Sequence, residues 1–106
     1  VGRLRLTDQP LAFPSPFNPS RSGNLTIQYT LSQDADIDIF IFGASIQILK
    51  KVSIFKGQEG GKAGINKVDW DGRTDFGGIA SNGIYVGTIV DRQNQSVLGK
   101  VKLVVY

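Results

Sequence analysis

Three aspartates at alternate positions, Asp34, Asp36 and Asp38, carry the spacing in this chain that comes nearest to a site for chemistry. Hard cations such as calcium prefer carboxylate oxygens, and on an extended strand Asp36 and Asp38 project from one face. A calcium-binding loop nevertheless fails at two positions. Ile39 stands where that loop needs glycine for its sharp turn, and Ser45 where it needs a bidentate glutamate. A solvated strand end is the favoured reading, and Asp69, Asp71 and Asp75 form a second, equally weak acidic group. The chain has no histidine and no cysteine, which removes imidazole-bound metals, Ser-His-Asp triads and thiol nucleophiles. Paired carboxylates that cleave glycosides must face each other across a substrate cleft, and nothing in the pattern builds one. Gly57 to Gly64 lacks the helix and the Gly-Lys-Ser/Thr ending of a phosphate-binding loop, so it reads as an exposed, flexible connection. No enzyme, metal or cofactor is expected.

The elements that carry these residues are strands. From Asn24 to Leu31 polarity alternates strictly, with Leu25, Ile27, Tyr29 and Leu31 on one face, the signature of a half-buried strand. Ala35 to Phe42 follows with Ile37, Ile39 and Ile41 on one face, then a turn at Gly43 to Ser45. Ile46 to Phe55 comes next, and its Lys50-Lys51 pair marks a twist or an edge. Ile65 to Trp70 is another strand, with Val68 and Trp70 sharing a face. Gly83 to Asp91 and Leu98 to Tyr106 form a hairpin around the polar turn 92–96. All four prolines fall within residues 1–20, which read as a proline-rich arm, with Arg3 to Thr7 as a short edge strand. Thirteen glycines, 41% apolar and 20% charged residues fit a turn-rich globular domain. The expected fold is one seven-stranded antiparallel β-sandwich of the immunoglobulin or fibronectin III kind across residues 1–106.

Charge narrows the partners. The net charge is +3, but the basic residues are scattered in pairs (Arg3/Arg5, Lys50/Lys51, Lys100/Lys102), which does not make a nucleic-acid footprint. No apolar run approaches the ~18 residues of a membrane-spanning helix. A chain that begins at Val1 and contains no methionine is expected to be a processed or excised piece. Asn24-Leu-Thr26 and Asn94-Gln-Ser96 match the glycosylation acceptor pattern, a match short enough to arise by chance.

Five segments in order carry a family resemblance: Pro16-Phe17-Asn18-Pro19, Ile41 to Val52, Val68-Asp-Trp70-Asp71-Gly72-Arg73, Gly83-Ile-Tyr85 and Lys100 to Tyr106. This order resembles the immunoglobulin-like domain of the flagellar hook-capping protein family and its relatives, among them the C-terminal sorting domains of type IX secretion. Two features depart from that pattern: Ile46 in place of a turn glycine, and the long loop at 57–64. The resemblance implies a non-catalytic structural or sorting module at the C-terminal end of a larger secreted or cell-surface bacterial protein, serving attachment, export or assembly. Its implied partners are other domains of the parent protein, identical subunits, or secretion and assembly machinery. A filament subunit joined through strand edges is the alternative, and an accessory domain of a secreted hydrolase a third.

The motif residues also have structural readings. Trp70 fills a core, Asp71 and Gly72 turn the chain, Arg73 pairs with a carboxylate across the loop, Gly83 eases the backbone and Tyr85 anchors the sandwich by ring and hydroxyl. If the isoleucines of 37–41 point inward, then Phe40, Phe42, Val86, Val90, Val104 and Tyr106 point outward as an apolar stripe fit for docking. A register slip, or cover by the N-terminal arm, would remove the stripe.

Overall fold

The alternation from Leu25 to Leu31 is realised residue by residue, buried and half-buried in turn, because a strand pinned between a core and solvent has period two. The structure is a computed structural model and describes residues 4–14, 16–19, 23–43 and 47–105. It contains seven strands: β1 (Leu11–Phe13), β2 (Leu25–Leu31), β3 (Ile37–Phe42), β4 (Ile48–Ile54), β5 (Gly64–Trp70), β6 (Gly83–Asp91) and β7 (Ser96–Val105). All pair antiparallel, in a three-stranded sheet of order β1-β2-β5 and a four-stranded sheet of order β4-β3-β6-β7. This is the expected all-β sandwich. Relative to a constant-type immunoglobulin domain, the fourth strand has left the first sheet and lies beside the third strand at the edge of the second.

Leu25, Ile27 and Leu31 of β2 face Ile37, Ile39 and Ile41 of β3, with Ile89 of β6 and Leu103 of β7 completing the layer. Each is at most 2% exposed, and full burial of such a side chain is worth about 1.5–3 kcal/mol. Bulges shift the register at Ile41/Phe42 opposite β4 and at Ile89/Val90 opposite β7, bending the four-stranded sheet.

Two expectations are corrected. The N-terminal edge strand is Leu11–Phe13, set between Pro10 and Pro14, where an edge position tolerates flanking prolines. Of the segment 3–7, Leu6 makes only an isolated bridge to Leu31, and Arg3 lies outside the described residues. The second correction concerns the loop at 57–64, which is exposed at 57–59 and 63 as expected but packed at its centre. Gly60 and Gly61 are buried, and Tyr29 donates its hydroxyl to Gly60 O at 2.6 Å. Asn66, fully buried on β5, accepts from the Gly60 and Lys62 N–H groups and donates to the Lys62 and Gly64 carbonyls. A Cβ on Gly60 would lie 2.5 Å from Ile54 Cδ1, so a side chain there would collide with the core.

Candidate interaction surfaces

The motif residues converge on one end of the sandwich. Phe17 bridges Val105 in parallel and donates its N–H to Val104 O at 2.8 Å, which ties the arm to the end of β7. Its ring lies 6.3 Å from that of Trp70, and Trp70 lies 6.3 Å from Tyr85 in an edge-on contact. Trp70 is 2% exposed and donates its indole N–H to Arg73 O at 2.8 Å. Asp71 accepts from the Arg73 N–H and closes the turn, and Gly72 holds φ +84° with Pro19 directly over it. Asn18 stands between Phe17 and Pro19 and is partly buried. Tyr85, two residues into β6 after Gly83, donates its hydroxyl to Ser81 O at 2.6 Å. That bond fastens the start of the sixth strand to the backbone just upstream. Arg73 pairs with a carboxylate of its own turn. It stands 4.0 Å from Asp71, two residues away and exposed.

The outer face of the four-stranded sheet is built in rows. Lys51, Phe40, Thr88 and Lys100 form one row, and Ile48, Phe42, Val86 and Lys102 the next. Ser53, Asp38, Val90 and Val97 lie on one side of them, and Ile84 with Val104 on the other. Phe40, Phe42, Val86, Val90 and Val104 therefore do face outward, while Tyr106 lies outside the described residues. The surface is not the plain apolar stripe that alternation alone implied. Its middle is apolar and its two flanks carry Lys51, Lys100 and Lys102, with Lys51 Nζ 5.7 Å from the centre of the Phe40 ring. The one acid in these rows, Asp38, is nearly buried and accepts from Arg92 Nε at 3.0 Å. Arg92 also donates to the carbonyls of Ile37 and Ile54 and stacks on Phe55. A shallow groove of ≈ 430 Å³ runs over Phe40, Phe42, Ile48, Val90 and Val97. Ile48 and Val97 escaped the sequence reading because the bulges at Ile41/Phe42 and Ile89/Val90 set their neighbours.

The aspartates are dispersed among separate tasks. Asp34 accepts from the Ala63 N–H and Asp36 from the Lys56 N–H, while Asp38 serves Arg92. Asp69 accepts from the Thr26 hydroxyl, and Asp75 from the Lys51 N–H. Asp34, Asp36, Asp38 and Asp75 fasten loops or strand ends, and Asp69 bridges to its paired residue across β2 and β5.

No protein-family model matches this chain, and no curated protein sequence matches it. Its fold is similar to that of part of PorZ. PorZ is described as an essential bacterial surface component of the type-IX secretion system of Porphyromonas gingivalis. The two superpose with a TM-score of 0.60 over 92% of this chain at 16% sequence identity. What they share at that identity is the sandwich, and this chain spans 11% of the length of PorZ.

Proposed function

We propose that this chain is a non-catalytic structural module of a secreted or cell-surface bacterial protein, acting in export or attachment through its surfaces. The observation that carries the reading is the PorZ likeness: the same sandwich occurs there as a small part of a large surface component of a secretion system. It favours the type IX branch of the sequence resemblance over the hook-capping branch. The chemistry of the described residues agrees, since Asp34, Asp36, the buried Asn66 and the hydroxyls of Tyr29 and Tyr85 are spent on holding loops and strand ends. The outer face of Phe40, Phe42, Val86, Val90 and Val104, flanked by lysines, is the surface we assign to contact with the parent protein or the export machinery.

The test is a fusion of residues 1–106 to the C-terminus of a periplasmic reporter in a bacterium that has a type IX system. The reporter is expected at the cell surface or in the medium only when the domain is attached. Changing Phe40 and Val86 together to threonine should lower that yield while the purified domain stays folded. A folded fusion retained in the periplasm would overturn the sorting role, and full export of the threonine variant would overturn the assignment of the face.

A further inference from the structure

The two lateral sides of the sandwich are unlike. On one, the N-terminal arm closes the gap: β1 touches β7, Leu6 and Pro10 sit over Gly99, and Phe17 bridges Val105. On the other, β4 and β5 end their sheets with a groove of ≈ 510 Å³ between them, lined by Lys50, Lys51, Val52, Asp69, Trp70 and Asp71. An edge strand turns the N–H and C=O of every second residue outward, and such an edge is a template for another strand.

Each of these edges is met by a carboxylate from a loop. The outward N–H of Lys51 on β4 donates to Asp75 Oδ2 at 2.9 Å, and the N–H of Asp75 donates to Leu49 O at 2.7 Å. Asp75 thus occupies the place a paired strand would take, spanning two successive outward positions of β4. On β5 the N–H of Lys67 donates to Glu59 Oε2 at 2.6 Å. A lysine holds each carboxylate in position: Lys50 Nζ is 3.2 Å from Asp75, and Lys62 Nζ is 2.9 Å from Glu59. The same device recurs on two strands, built from two separate loops.

We propose that Glu59 and Asp75 are edge guards that keep the open side of the sandwich from adding strands of a second copy of this chain. A second copy is the fitting occupant because the N-terminal arm already closes the opposite side of each molecule. In addition, an antiparallel edge is self-complementary about a two-fold axis, outward donors of one copy meeting outward acceptors of the other. The guards withdraw one donor from each edge and place a charge where the incoming strand would lie. The inference stands independently of the export reading, because its readout is mass in solution.

Size exclusion coupled to light scattering, over a concentration series, tests it on the purified chain. The wild type is expected to remain a monomer, whereas E59A/D75A, with unchanged circular dichroism, grows with concentration into dimers and larger species. Adding K51P and K67P removes the two outward donors at edge positions that tolerate proline and should restore the monomer. A folded, monomeric E59A/D75A, a wild type that already associates to the same extent, or association that persists in the proline variant would each overturn the proposal. Should E59A/D75A unfold, amide exchange in the single variants decides instead. The Lys67 amide in E59A and the Lys51 amide in D75A are expected to exchange faster by on the order of tenfold, with neighbouring ladder amides unchanged. Unchanged protection at both amides would overturn it.

Discussion

Tyr29 hydrogen-bonds Gly60 across the interior, its hydroxyl 2.6 Å from the carbonyl oxygen of a loop residue thirty-one positions away. The ring sits in the core with 1% exposure, so the bond joins the centre of β2 to a loop that has no regular structure of its own. The Tyr29→Phe change keeps the ring and strands the Gly60 carbonyl in a dry site, at a cost of about 1–3 kcal/mol. Urea unfolding measures this, and a stability equal to wild type would show that the loop does not depend on the bond. Burial, and then the charge of Glu59, also push the Tyr29 phenol above its ordinary value. The fold thus prefers the neutral form, and its contribution is complete below the ordinary phenol pKa of about 10 and is lost as pH rises beyond it. In alkali Tyr29→Phe should therefore lose less stability than wild type.

Gly72 and Pro19 are coupled through contact. A Cβ on Gly72 would stand 2.8 Å from both Cβ and Cγ of Pro19, and φ is +84°. Gly72→Ala is expected to cost about 1–3 kcal/mol from backbone strain before the collision is added. In a double-mutant cycle with Pro19→Gly, removing the proline should relieve the collision but not the strain, leaving a coupling of about 0.5–3 kcal/mol. Additive effects would mean that the two motifs fold independently.

Acid should weaken the domain through the edge carboxylates. The Lys67 N–H, then the Lys62 side chain, hold the Glu59 carboxyl below its ordinary value; the Lys51 N–H, then the Lys50 side chain, do the same for Asp75. Because the folded values lie below the unfolded ones, the ionised forms favour the fold. Their contribution is present above the ordinary carboxylate range and is lost as pH falls through the folded values. Unfolding midpoints measured against pH should fall less steeply for E59Q/D75N than for wild type. Parallel curves would remove these two groups from the acid response.

The periodicity of β2, β3 and β6 was legible in the sequence because side-chain alternation is a local property of an extended chain between core and solvent. Ile37, Ile39 and Ile41 inward with Phe40 and Phe42 outward needed no knowledge of their neighbours, and Gly83 to Asp91 matches β6 end to end. Phe17, Trp70 and Tyr85 could be named from the order of the motifs, but that their rings meet at one end of the sandwich was decided by the tertiary structure. What only the tertiary structure decided involves partners distant in sequence or switched between sheets. Nothing in Ile48–Ile54 dictates that β4 lies beside β3 rather than on the opposite sheet, since either edge accepts a strand of that pattern. Asn66 occupies an inward position of β5, where alternation asks for an apolar side chain, and its burial makes sense only once the loop at 60–64 folds back on it. Asp75 and Lys51 are twenty-four residues apart, and a carboxylate that caps a sheet edge has no local signature. Its role follows from where a turn ends in space, which the packing of the two sheets sets.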